Sequence, residues 1–186
     1  MGINIYIYIY IGKIVIKIKF YDLLLFGCCC SNVDIFISFI WCYCLFHEKG
    51  KKIAKFGIVT KRGPSAPVID ETIRENYNIE PPSLGAGIGA IIYMVVEPEH
   101  RGKGIGSLAL EAIAAIHTVQ GIDFTVLVAD DNGTGKLIKW YEENGYTIAP
   151  KLQDLLGSPD AKFGTTMIRP SSVRSDIFGD CQIQWW

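Results

Sequence analysis

The chain lacks an excess of charge of either sign. Eighteen Lys and Arg stand against nineteen Asp and Glu, a formal net charge of -1. Nucleic-acid binders usually carry a strong basic excess, so that partner class is set aside. Cysteines at metal-binding spacing are missing as well. Five of the six lie between Cys28 and Cys44, as Cys28-Cys29-Cys30 and Cys42-x-Cys44. That is not the Cys-x-x-Cys spacing of a zinc site, and no metal is expected. No charged segment precedes the first apolar run and no small-residue cleavage site follows it, so no cleavable signal peptide is read. Residues 1–30 also lack the Arg- and Ser-rich pattern of a plastid transit peptide. Free, buried thiols in the cytoplasm or another reducing compartment, a plastid included, are the expectation.

What is present fits one domain, since 186 residues can bury a proper core. Charge is uneven along it. Residues 1–60 hold seven Lys against three acids, and the remainder holds eleven Lys and Arg against sixteen acids. The acidic later part slightly favours a cationic or amine substrate. Residues 3–11 alternate Ile with Tyr almost perfectly, a strong strand composition but apolar on both faces. An AT repeat in DNA translates as this pattern, so the tract also reads as translated simple-sequence DNA or a gene-model artefact. Ile14 to Phe20 is an ordinary alternating strand. Leu23–Phe46 is long and apolar enough to raise a membrane-associated segment. Asp34 near its middle argues against that, because a central acid costs about 2.5–3.5 kcal/mol to insert.

Ile35 to Phe46 and Lys52 to Thr60, joined through Gly50, predict a β-hairpin. Lys61 to Gly85 contains Pro64, Pro67, Pro81 and Pro82 around a short amphipathic piece, Asp70 to Tyr77, and reads as a long pocket-shaping loop. Gly85, Gly87 and Gly89 suggest close backbone packing or bulges rather than a second phosphate site. An apolar strand, Ala90 to Val96, then stops at Pro98. The run Arg101-Gly102-Lys103-Gly104-Ile105-Gly106 follows, and Ser107 to His117 reads as a helix with Leu108, Ala112, Ala115 and Ile116 on one stripe. Strand, glycine turn and helix N-terminus together can bind a phosphate on free amides, with Arg101 and Lys103 adding charge. Downstream come a strand (Phe124 to Ala129), a turn (Asp130 to Gly135) and a helix (Lys136 to Asn144) closed by Gly145. Tyr146 to Ala149 and Phe163 to Ile168 read as short strands, and residues 170–186 as a tail.

Val96-x-Pro98-x-x-Arg101-Gly102-x-Gly104-x-Gly106 resembles the signature of the GNAT superfamily of acyl-CoA N-acyltransferases. Trp140-Tyr141-Glu142-Glu143-Asn144-Gly145-Tyr146 resembles that family's Tyr-x-x-x-Gly-aromatic element about 35 residues later. The resemblance covers residues about 88–147. It implies an α/β (α+β) fold: a mixed, twisted central sheet with two splayed strands, flanked by helices. It further implies an N-acetyltransferase domain over residues 35–169, with an atypical segment 1–34 before it and the tail 170–186 after it. Acetyl-CoA would lie in the splay, its pantetheine along Met94, Val95 and Val96. Its pyrophosphate would rest on Arg101, Gly102, Lys103, Gly104, Ile105, Gly106 and Ser107. Asn132 corresponds loosely to a further CoA contact, though it stands about two residues too far from Tyr141. Tyr141 holds the place of the acid that protonates the departing thiolate. The implied reaction is direct attack of a primary amine on acetyl-CoA in a ternary complex. The base is open among Glu97, His100, Glu71 and a water chain, because no acid lies on Gly89 to Val96. The acceptor (small amine, protein N-terminus or lysine) and the oligomeric state are open too.

Two other readings compete. A non-catalytic CoA-binding module would use the same glycine turn. A dinucleotide-binding protein would use Gly104-x-Gly106-x-x-Ala109 with Asp130 about 20 residues on. Against the second, Pro98 separates the first glycine from its strand. Gly133-Thr134-Gly135-Lys136 lacks the earlier glycine and the hydroxyl residue of a P-loop. Intact-mass and N-terminal peptide analysis of the native protein decides the status of the Ile–Tyr tract: finding residues 3–11 in the chain removes the artefact reading.

Overall fold

The computed structural model describes residues 4–11, 14–24, 38–62, 67–81, 87–130, 132–153, 164–171 and 182–185. In chain order the elements are β1 (Asn4–Ile11), β2 (Ile14–Leu24), β3 (Ser38–Glu48), β4 (Lys51–Arg62), α1 (Pro67–Tyr77) and β5 (Ile88–Val96). After these come α2 (Ile105–Val119), β6 (Phe124–Ala129), α3 (Lys136–Glu143), β7 (Thr147–Ile148), β8 (Thr165–Pro170) and β9 (Gln182–Trp185). All strands join one nine-stranded sheet in the order β7-β8-β6-β5-β4-β3-β2-β1-β9. Among the described residues only β5 and β6 pair in parallel, so the sheet is mixed as expected.

The predicted hairpin is β3–β4. Its turn is Lys49-Gly50, both at positive φ (50° and 78°), which is the two-residue geometry that matches strand twist. Three sequence expectations need correcting. The long loop between Lys61 and Gly85 contains the helix α1. Its Pro67 occupies the first helical position, where a missing N–H costs nothing, so proline there starts a helix rather than preventing one. Residues 182–185 of the expected tail form β9, with Trp185 paired to Ile7. The strand expected at Phe163 to Ile168 is Thr165–Pro170. Residues 25–37, with Cys28 to Cys30 and Asp34, lie outside the described residues. Ser38 to Phe46 of the apolar run is strand, and no helix among the described residues is long and apolar enough to cross a membrane.

Side chains alternate across the sheet, and two cores follow. On one face Phe56, Ile58, Leu127 and Met167 pack against α2 and α3. On the other, Ile88, Ala90, Val126 and Ile168 pack against Ile73, Val68 and Ile69 of α1. Helix α2 is wedged between the sheet and α3, so its buried surface is wider than the predicted stripe: Ala112 and Ile116 are buried, Leu108 and Ala115 only partly, and Glu111 and His117 are buried as well. Both have partners. Arg169 Nη2 donates to Glu111 Oε1 at 2.8 Å, an ion pair that ties β8 to α2. His117 Nδ1 shares a hydrogen bond of 2.6 Å with Thr125 Oγ1, which lies 3.2 Å from Ser171 Oγ. Gly89 makes room for the imidazole: a Cβ there would stand 2.3 Å from the ring. The glycines at 87 and 89 thus serve close packing, as the sequence suggested.

Burial pushes the His117 pKa down from 6.5 to about 3. The unfolded chain therefore binds a proton that the native chain refuses, and stability must fall as pH drops below about 6.5. The expected loss is about 2 kcal/mol by pH 5. Urea denaturation from pH 7.5 to 5 checks this: His117→Leu should flatten the slope by that amount, and an unchanged slope refutes it.

Candidate active site

Strands β5 and β6 begin side by side, with Ile88, Gly89 and Ala90 opposite Phe124, Thr125 and Val126. Beyond these positions they part. Ile91 to Val96 keeps its pairing with β4 on the other side, so an unpaired strand edge faces β6 across the gap. The cause is visible in the register. Gly57 pairs with Tyr93 and Ile58 with Ile91, leaving Ile92 as an extra residue. Such a β-bulge bends its strand and increases local twist. This is the splay that the resemblance implied.

At the mouth of the gap the chain turns once through Pro98–His100 and enters α2. Arg101 Nε donates back to the Val96 carbonyl at 3.1 Å, fastening the loop to the strand it left. Gly102 and Gly104 have φ of 70° and 78°, a left-handed conformation that costs other residues about 1–2 kcal/mol. The first helical bond of α2 is Leu108 N to the Gly104 carbonyl, 3.0 Å. The amides of residues 102–107 make no backbone hydrogen bond among the described residues. They lie at the positive end of the helix dipole. A Cβ at Gly102 or Gly104 would meet nothing within 4 Å, so the space before these amides is open. Gly106 serves a different need: a Cβ there would meet the Trp140 ring at 3.0 Å. Its glycine sets how closely α3 rides on α2.

Tyr141 stands at the end of α3. Gly145 N–H donates to the Glu142 carbonyl (2.9 Å) and Tyr146 N–H to the Tyr141 carbonyl (3.0 Å), the bond pair of a Schellman cap. Its usual apolar contact is present, as the Tyr141 and Tyr146 rings meet edge-on at 5.5 Å. Arg169 lies over Tyr146 at 5.8 Å. Burial pushes the Tyr141 phenol up to about 12, so it is protonated at neutral pH. Asn132 sits exposed in the turn before α3 at φ 54°, its N–H toward Asp130 Oδ1 (3.3 Å).

The base candidates are scattered. Glu71 Oε1 accepts from Lys151 Nζ at 2.7 Å, and Lys151 also holds Glu75 at 2.6 Å. Glu97 lies 3.7 Å from Lys52, and His100 4.0 Å from Glu48. Met94 and Val96 pack into the α2 core while Val95 is exposed. Sequence reasoning missed Tyr93 and Lys55, which meet across β4 and β5 with the ammonium 6.0 Å from the ring centroid. Only the strand register brings them together. The dinucleotide reading loses its geometry, because β5 ends at Val96, well before Gly104.

A mixed sheet opened between two parallel strands, with a glycine-lined helix start at the opening, is the acyltransferase-type arrangement that the resemblance implied. The chain belongs to the GNAT acetyltransferase family: the family model described as Acetyltransferase (GNAT) domain matches residues 41–148. Acyl transfer is thus its class of chemistry. No curated protein matches the sequence. Solved structures similar to it include Ard1 from Thermoplasma volcanium, at 15% identity and TM-score 0.44, covering 69% of each chain. The ribosomal-protein-S18-alanine N-acetyltransferase from Escherichia coli is similar at 16% identity and TM-score 0.43, covering 71% of this chain and 70% of that one. The N-acetylglutamate synthase from Neisseria gonorrhoeae, complexed with coenzyme A and N-acetyl-glutamate, is similar at 15% identity and TM-score 0.45. That likeness covers 70% of this chain and 26% of the synthase. Likeness at this level says nothing about substrate.

Replacing Gly106 with Ala should cost about 1–3 kcal/mol, since the Trp140 ring must move to admit a methyl group. Denaturation followed by tryptophan fluorescence checks it; wild-type stability would mean that the α2–α3 contact is slack.

Proposed function

We propose that the chain transfers an acetyl group from acetyl-CoA to a primary amine by direct attack in a ternary complex. The observation that carries this reading is the run of unpartnered amides at residues 102–107, placed where β5 and β6 part. A pyrophosphate on Gly102, Lys103, Gly104, Ile105, Gly106 and Ser107 would satisfy those donors, with Arg101 and Lys103 supplying positive charge. The pantetheine would then run along the open edge of Met94, Val95 and Val96, with Asn132 on the far side of the gap. That edge offers strand amides to a thioester carbonyl, which is how an oxyanion is stabilised.

The amine must arrive as the free base, because an ammonium of pKa about 10.4 has no lone pair to give. Its nitrogen attacks the thioester carbon, the C–S bond breaks, and the proton lost by the amine leaves to base or solvent. Tyr141 faces the departing sulfur in this reading. Its phenol, at about 12, is a weaker acid than an ordinary thiol of pKa about 8.5. It therefore stabilises the thiolate chiefly by donating a hydrogen bond and gives up its proton only in part. Glu71, committed to Lys151, is the least suited of the base candidates. The domain itself is taken to span residues 35–169. A bare CoA-binding module is the second reading, and it shares the amide run.

Calorimetry and a thiol-release assay separate the two. Acetyl-CoA should bind, and at least one amine should drive thiol release. Tyr141→Phe should lower kcat roughly 10²–10⁴-fold with little change in acetyl-CoA affinity. Gly104→Glu should abolish binding by placing a carboxylate against the phosphates. Binding without turnover on any amine would favour the bare module, and NADH binding in place of CoA would end both.

A further inference from the structure

We propose that the acceptor is an amine that also carries a carboxylate on an apolar body, and that Lys55 is the residue that selects it. The inference rests on the acetyl-transfer reading and concerns the acceptor side of that site.

The bulge at Ile92 decides which side chains face the acceptor. Before it, Ile88 and Ala90 are covered by α1. After it, Met94 and Val96 turn into the core beneath α2. Val95, opposite Lys55 in the register, is left on the other face and is 39% exposed, and the bulged Ile92 is 50% exposed. Exposed aliphatic side chains on a strand whose β6 side is open form an apolar ledge. It lies at Ile92 and Val95, within the stretch whose edge is open toward β6.

Lys55 rises beside this ledge. It pairs with Val95 across β4 and β5, and its neighbours Ala54 and Phe56 are buried at 1% and 0%, so its side chain takes the acceptor face. Tyr93 is fixed next to it, because Gly57 has no side chain and lets the ring lie on the backbone. A Cβ at Gly57 would stand 2.5 Å from the ring. Lys52 and Lys151 both have carboxylate partners. Lys55 has the π-face of Tyr93, 6.0 Å away. A cation held over an aromatic ring beside an apolar ledge suits an incoming carboxylate and repels a second ammonium. This local charge outweighs the mild acidity of the sequence as a guide to substrate. Polyamines and lysine side chains are disfavoured, and an apolar amino acid or a short peptide is favoured.

The test is acetyl-CoA-dependent thiol release with matched acceptors: L-phenylalanine against phenethylamine, L-leucine against isoamylamine, and putrescine as a polycation. Each is run on wild type, Lys55→Gln and Lys55→Glu. A hydrogen-bonded charge is worth roughly tenfold or more. Wild type should therefore favour the carboxylated partner by at least that ratio in kcat/KM. Lys55→Gln should erase the preference through KM with little change in kcat, and Lys55→Glu should reverse it and admit putrescine. If wild type uses phenethylamine as well as phenylalanine, or if Lys55→Gln lowers both members of a pair equally, the inference is overturned while acetyl transfer stands. If acetyl-CoA binds and no amine releases thiol, acetyl transfer falls and the inference falls with it.

Discussion

One extra residue in one strand governs this molecule. Ile92 has no partner in β4, and the strand bends where it sits. The bend parts β5 from β6, and the parting leaves backbone donors and acceptors without the neighbour a sheet would normally supply. Buried backbone polar groups need partners, so a gap of this kind persists only where a ligand or solvent can fill it. The same bulge reverses which side chains point to which face. It therefore shapes the cofactor edge and the proposed acceptor ledge at once.

The elements around the gap are held by polar contacts that an apolar core alone would not require. Arg169 reaches Glu111 on α2 and lies over Tyr146, which in turn meets Tyr141. His117 holds Thr125 at the start of β6, on the stretch where the two strands still pair. Removing one partner of a buried ion pair typically costs 3–5 kcal/mol, whereas replacing the pair by apolar residues can be neutral. These contacts therefore contribute placement more than stability. They fix α2, β6 and β8 relative to one another behind the site.

Much of this was legible along the chain. The hairpin, the glycine loop, strand β6 and the cap at Gly145 are all local events, signalled by residues within a few positions of one another. The cap and the loop carried the family resemblance. The missed features share a cause: each depends on residues far apart in sequence. Ile91 and Ile92 are identical, so nothing in the sequence marks one as the bulge. Lys55 and Tyr93 meet only through the β4–β5 register. Glu111 and His117 lie off the apolar stripe read from the sequence, and their partners come from β8 and β6. Pro67 misled in the opposite way, since a proline-rich stretch looks like loop even where one proline opens a helix.

The short junction between β5 and β6 divides the sheet mechanically. On one side lie β7, β8 and β6, and on the other β5, β4, β3, β2, β1 and β9 in an unbroken antiparallel array. Along the strands the two are joined at Gly87 to Ala90, with α2 as the covalent bridge. Compliance is thereby concentrated at a single seam, and local opening favours regions with few hydrogen bonds. A molecule lying in the gap would act as a splint across that seam. Occupancy would stiffen that seam while leaving the outline of the sheet unchanged.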